Sequence, residues 1–246
     1  MKEKEVLFLK KRLMELAAAA FYKNIATHSV FLNLHEQTIF CSMVKELPNI
    51  PHTLFGGHPL AERKVVFFLK EEESVFYYIR ISPKNPRFAE TLTHRDFLGA
   101  LMHLGLERHT MGDIMVEENQ AHLVVLSSVA RVVLGLEQVR LTKVAASLET
   151  QEDFSPLVHL REETIHVSSL RLDGILASVF HLSRSGANVQ IDGGKVFVNG
   201  RQIFSHSMEI APGDIVSLRG FGRFRFKGEV STSKKGRLFA KVESFI

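Results

Sequence analysis

The residues whose types could do chemistry together lie in the last third of the chain. Arg171, Arg184, Lys195, Arg201, Arg219, Arg223, Arg225 and Lys227 recur there, with the hydroxyls of Ser183 and Ser185 flanking Arg184. From His166 onward there are 12 Lys and Arg against 6 Asp and Glu, whereas residues 1–165 carry 19 against 21. The positive excess is therefore local. Gathered cations attract polyanions because each neutralised phosphate releases condensed counterions, so the chemistry implied is binding to nucleic acid rather than bond making.

Catalytic and metal chemistry find little support. Cys41 is the single cysteine, so it can form no internal disulfide, and a cysteine-based zinc site lacks its other ligands. The histidines show no H-E-x-x-H or similar spacing, and no G-x-G-x-x-G is present for a methyl donor or dinucleotide. His94-Arg95-Asp96 has the order of a kinase catalytic loop, but Leu101 stands where the asparagine is required. No catalytic residue, metal or cofactor is expected. Cys41 is expected as a small core residue in a reducing cytoplasm.

The elements that must position the basic residues can be read locally. Ser168 and Ser169 are expected to cap a helix beginning near Leu170. Ser183 caps a second helix beginning at Arg184 and stopping at Gly193-Gly194. Helix starts carry donor N–H groups and a positive dipole end, so Arg171 and Arg184 would sit where phosphate is best received. Val196-Phe197-Val198, Asn199-Gly200 and Arg201-Gln202-Ile203 form a hairpin with a two-residue turn. Pro212-Gly213-Asp214 turns the chain into Ile215–Leu218. In a strand at 219–227, Arg223, Arg225 and Lys227 share one face as phosphate contacts, and Phe224 and Phe226 share the other as core. Lys234, Lys235 and Arg237 form an exposed loop cluster.

Arg171-Leu172-Asp173, Leu182-Ser183-Arg184-Ser185, Gly194 to Gly200 and Gly213-Asp214 resemble the S-four RNA-binding domain in order and spacing. The resemblance implies that the helix pair lies on structured RNA. Asn188 stands where many members carry a further basic residue. Asp173 is expected to be a structural partner of an arginine.

Upstream, residues 3–24 have helical spacing, a second helix is expected over about 36–47, and Pro48–Pro59 reads as a loop. Residues 64–69 and 75–81 read as the two strands of a hairpin. From Val75 the expected order is β-α-β-β-α-β, with strands at 75–82, 111–117, 121–126 and 140–148 and helices at 94–105 and 127–138, a ferredoxin-like arrangement. Residues 150–166 read as a connector. No run of apolar residues is long enough for a membrane helix, so no membrane partner is expected. The fold class is α+β and multidomain: an N-terminal α/β domain (1–74), a central RNA-recognition-like domain (75–165) and the S-four module (166–246).

Phe55-Gly56-Gly57-His58-Pro59-Leu60-Ala61-Glu62-Arg63, Ser82-Pro83-Lys84, His94 to Leu101 and Gly112-Asp113-Ile114 resemble the YlmH family of Gram-positive bacteria. That resemblance implies association with the ribosomal large subunit and a part in handling stalled or obstructed ribosomes, with rRNA or tRNA as the RNA. Glu62 and Arg63 are read as a structural pair, with an anion site as the other reading. The reading is a non-catalytic RNA-binding adaptor, and two alternatives stand beside it: an RNA-modifying enzyme of the pseudouridine-synthase kind, and an interaction scaffold linked to cell division.

Overall fold

The computed structural model describes residues 3–154, 160–232 and 238–245. The expected cluster of Lys234, Lys235 and Arg237, and Ser155 and Pro156 of the expected connector, lie outside them. The chain divides into two compact units, Met1–Leu157 and Val158–Ile246.

In the first unit, α1 (Glu3–Lys23) buries Leu13, Ala17 and Ala20, a stripe at helical spacing. After β1 (Thr27–His28), Asn33 starts α2 (Leu34–Met43) with a capping box: the Glu36 N–H donates to Asn33 Oδ1 at 3.0 Å and the Asn33 N–H to Glu36 Oε2 at 2.7 Å. The stretch expected as a loop contains a strand, β2 (His52–Phe55), which pairs with β3 (Val65–Phe68). All four residues of β3 are buried, and β1 occupies its other edge. The expected hairpin of 64–69 with 75–81 therefore does not form: a single 3-10 turn, Glu73–Val75, redirects the chain into another sheet.

That sheet holds β4 (Phe76–Pro83), β5 (Met111–Glu117), β6 (Gln120–Leu126), β7 (Gln138–Val139) and β8 (Thr142–Glu149) in the order β5-β6-β4-β8-β7, every neighbour antiparallel. With α3 (His94–His103) and α4 (Ser127–Leu134) between strands, the succession is the expected β-α-β-β-α-β, with β7 as an added edge. The short α5 (Gln151–Phe154) follows, and Phe154 is fully buried against His58 and Tyr78. Phe31, Val65 and Phe67 share a core with Phe76, Val124, Leu126 and Phe154, so apolar packing runs across position 74/75.

In the second unit, β9 (Leu160–Val167) lies where a connector was expected, crossing position 165/166. It pairs with a distant segment and buries only Ile165 and Val167, an alternation too short to read as a strand without that partner. Then come α6 (Leu172–Val179), α7 (Arg184–Asp192), β10 (Val196–Val198), β11 (Arg201–Gln202), β12 (Ile215–Leu218), β13 (Gly222–Thr232) and β14 (Leu238–Phe245). Six antiparallel strands run in the order β11-β10-β12-β13-β14-β9. Asn199 and Gly200 have φ of 49° and 73°, the left-handed pair that a tight hairpin turn requires. Leu172, Ile175, Leu176, Ala187 and Ile191 of the helices pack on Val196, Val198, Val216, Leu218, Phe224, Phe226, Ala240 and Val242, so one sheet face carries the helix pair. Phe224 and Phe226 are core, as their alternation requires.

Candidate nucleic-acid interface

Arg171 and Arg184 are 13 positions apart in sequence and meet at one carboxylate. Arg171 is the N-cap of α6 and Arg184 the first residue of α7. Asp173 accepts from Arg171 Nε and Nη2 at 3.3 and 3.1 Å, and from Arg184 Nε and Nη2 at 3.1 and 3.4 Å. It also accepts the Gly174 N–H at 2.8 Å. The Asp173 side chain is 3% exposed, while those of Arg171 and Arg184 are 39% and 54% exposed. Burial by itself would raise the Asp173 carboxyl, but the bonds from Arg171, Arg184 and Gly174 and the Arg184 charge outweigh it and hold the group down to about 2. One buried anion thus fixes two outward cations, leaving a local positive surplus.

The two helix starts differ. Ser168 and Ser169 do not cap α6. Its first-turn N–H groups are taken within the fold, Leu172 donating to the Met208 carbonyl at 2.8 Å and Asp173 to that of His206 at 3.2 Å. The α6 start therefore presents its arginine but no backbone donors, because the segment after β11 lies across it. At α7, Ser183 Oγ accepts the Gly186 N–H at 2.9 Å, and the N–H groups of Arg184 and Ser185 carry no bond among the described residues. Ser185 Oγ lies 3.0 Å from Ser183 Oγ. A shallow groove of about 330 Å³ beside these residues is lined by His166, Val167, Ser168, Gly174, Ala177, Ser178, Leu182 and Arg184, and its small residues Ser168, Gly174, Ala177 and Ser178 leave room for a backbone to approach. Of the two helix starts, only that of α7 keeps backbone donors open among the described residues.

The remaining basic residues lie elsewhere on the sheet. Arg201 stands opposite Val198 in register, at the β11 edge, and Lys195 is exposed just before β10. Arg219 places its guanidinium carbon 4.6 Å over the Phe197 ring. Arg223 and Arg225 stand 4.4 and 5.8 Å over the Phe245 ring. Burial, reinforced by the neighbouring Arg225, lowers Arg223 to about 10. Glu243 pairs with both Arg225, at 3.2 Å, and Lys227, at 3.1 Å. The strand alternation that puts Phe224 and Phe226 in the core puts Arg223, Arg225 and Lys227 on the face away from the helix pair, and Phe197, between core Val196 and Val198, carries Arg219 on that same face. The candidate residues therefore form two groups on opposite sides of one sheet. Phe197, Phe245 and Glu243 were not among the sequence candidates. Their signal was the same period of two, visible only once their strands were paired.

The upstream motifs converge as well. Asp113 accepts the backbone N–H groups of Glu62 at 2.6 Å and Arg63 at 3.2 Å, and lies 3.6 Å from His58 Nε2. Arg63 donates to the carbonyls of Met111 and Phe31, and Arg108 to those of Met111 and Gly112. Burial lowers Arg63, against the charges of Glu36 and Asp113, and burial followed by the Arg63 charge lowers Arg108 to about 10. These arginines satisfy carbonyls where the β5 register shifts between Met111 and Ile114, which is a structural task. Thr93 and Asp96 start α3, the Thr93 N–H donating to Asp96 Oδ2 at 2.9 Å. Cys41 is exposed rather than a core residue, because α2 turns Ile39, Phe40 and Met43 inward and leaves position 41 on the outer side. Among the described residues no group of three or more His, Cys, Asp or Glu could hold a metal ion, and no helix is long and apolar enough to cross a membrane.

Comparison with known proteins supplies the family. The YlmH RNA-binding domain model matches residues 72–153, and the S4 domain model matches residues 170–216. A Bacillus subtilis (strain 168) protein named ribosome-associated protein quality control protein P2 is 36% identical over 206 residues, covering 78% of this chain and 77% of that one. The chain belongs to the YlmH family. A solved YlmH structure, cell division protein ylmH from Streptococcus pneumoniae, superposes with a TM-score of 0.50 at 20% identity, covering 63% of this chain and 97% of that chain. That second likeness shows a YlmH-like mixed α/β fold, and the S4 match lies in the C-terminal part of the chain.

Proposed function

We propose that this chain is a ribosome-associated RNA-binding protein that acts as a non-catalytic adaptor in the cytoplasm. Its RNA would be structured rRNA or tRNA on the large subunit, in the handling of stalled or obstructed ribosomes. The observation that carries the reading is the Arg171–Asp173–Arg184 arrangement. A buried carboxylate holds two exposed guanidiniums at the starts of adjacent helices, engaging only Nε and Nη2 of each. Such a cluster suits phosphates at fixed spacing and does no bond chemistry, since its one carboxylate is already saturated by donors. The name of the Bacillus subtilis relative supports the ribosomal setting. Ser183 and Ser185 would contribute through the α7 start, and Lys195 and Arg201 as flanking phosphate contacts.

The test is binding of the full chain to purified large subunits and to an RNA hairpin across a salt series. Arg184→Ala and Arg171→Ala should each weaken binding and make the log–log salt slope shallower by roughly one. Arg184→Ala should cost more, because the α7 start also offers backbone donors. Arg131→Ala, an exposed charge in the other unit, serves as the control. Unchanged affinity and slope in both folded variants would remove the helix starts from the interface.

A further inference from the structure

We infer that the sheet face opposite the helix pair is a second RNA surface, which takes single-stranded RNA by stacking bases on its arginine–phenylalanine pairs. This rests on the RNA-binding reading above and extends it to a different ligand class and a different face. The register places Phe197 opposite Ser217 and Ser217 opposite Arg223, and Arg223 lies over Phe245. Phe197, Ser217, Arg223 and Phe245 thus make one row across β10, β12, β13 and β14. At the usual strand spacing the row is about 14 Å long. Four-stranded RNA-binding sheets stack two or three bases over a comparable width.

The chemistry of the row favours bases with phosphates between them. Arg219 over Phe197 and Arg223 over Phe245 give two cation–ring pairs whose planes can receive a base. Ser217 between them supplies a hydroxyl for a base edge or a ribose 2′-OH. Arg219, Arg223, Arg225, Lys227 and Lys241 oppose Glu162 and Glu243 among the described residues of this face, so a polyanion is complementary to it. Because Glu243 already pairs with Arg225 and Lys227, stacking rather than charge must carry much of the affinity. A duplex hides its bases from such a surface, whereas a single strand presents them. An acidic peptide matches the charge but has no planar groups to lay on the rings.

Two fluorescent probes separate the faces: an oligouridylate, which is unstructured, and an RNA hairpin, each titrated into the full chain. Phe197→Leu and Phe245→Leu keep apolar bulk, and Arg219→Ala changes an exposed turn residue, so at least one of these folds as wild type by circular dichroism. Each should weaken oligouridylate binding about fivefold or more and leave the hairpin unaffected. Arg184→Ala should do the reverse. Wild-type oligouridylate affinity in all three folded variants overturns the inference. So does an outcome in which a polyglutamate peptide binds, loses binding on Phe197→Leu, and oligouridylate does not respond, since the occupant is then an acidic protein segment. Absence of hairpin binding in the wild-type chain would instead overturn the helix-face reading while Phe197-dependent oligouridylate binding stood.

Discussion

Replacing Asp173 with asparagine removes the anion that holds Arg171 and Arg184 while keeping the side chain's size. The carboxyl is depressed from its ordinary 3.8 to about 2. A depression of that size corresponds to roughly 2 to 3 kcal/mol of folding stability at neutral pH, since each tenfold in proton affinity is about 1.4 kcal/mol. The sign follows from the folded-state pKa lying below the unfolded one. The contribution is complete above about pH 4 and is lost as pH falls through the range from about 4 to 2. Asp173→Asn should therefore be less stable than wild type by about 2 kcal/mol at pH 7, with the gap closing as pH approaches 2. Hydrogen exchange of the α6 and α7 amides in the full chain reads this locally, and denaturant unfolding at a series of pH values reads it globally. The salt slope of hairpin binding should stay unchanged, because both cations remain. A gap that is absent at pH 7, or that persists undiminished near pH 2, would refute the claim that this carboxylate anchors the arginines.

Ser183→Ala removes the Oγ that accepts the Gly186 N–H and should lower stability by about 1 kcal/mol, checked by thermal unfolding. Its effect on RNA binding should be smaller than that of Arg184→Ala. A fragment of residues 158–246 should fold and bind hairpin RNA with a salt slope of roughly −3 to −5, whereas one starting at 168 loses β9, leaves β14 as a bare edge and should aggregate or melt early by circular dichroism. Incubation of the full chain with rRNA and tRNA, with and without a methyl donor, should yield no new pseudouridine or methylated nucleoside by mass spectrometry. A protein-dependent mark would replace the adaptor reading with a modifying enzyme.

The local features were legible in the sequence because short-range chemistry dictates them. Asn199-Gly200 can supply two left-handed residues at little cost, Ser183 has an oxygen one turn ahead of Gly186, and the alternation of Phe224 and Phe226 with Arg223 and Arg225 divides a strand into a core face and an outer face. The motif spacing carried the family for the same reason, since turns, caps and core positions recur at fixed offsets. Tertiary structure alone decided which segments became neighbours. Alternation says that a strand has two faces but not which strand lies beside it, so β9 read as a connector and Val65–Phe68 was assigned the wrong partner. The same limit hid the site. Nothing local says that Asp173 is shared by Arg171 and Arg184, that the His206 and Met208 carbonyls close the α6 start, or that Arg219 and Arg223 meet Phe197 and Phe245 on the far side of the sheet. Apart from Arg171 and Asp173, two residues apart, those contacts join residues distant in sequence, and only the register of the six-stranded sheet and the packing of the helix pair on its inner face bring them together.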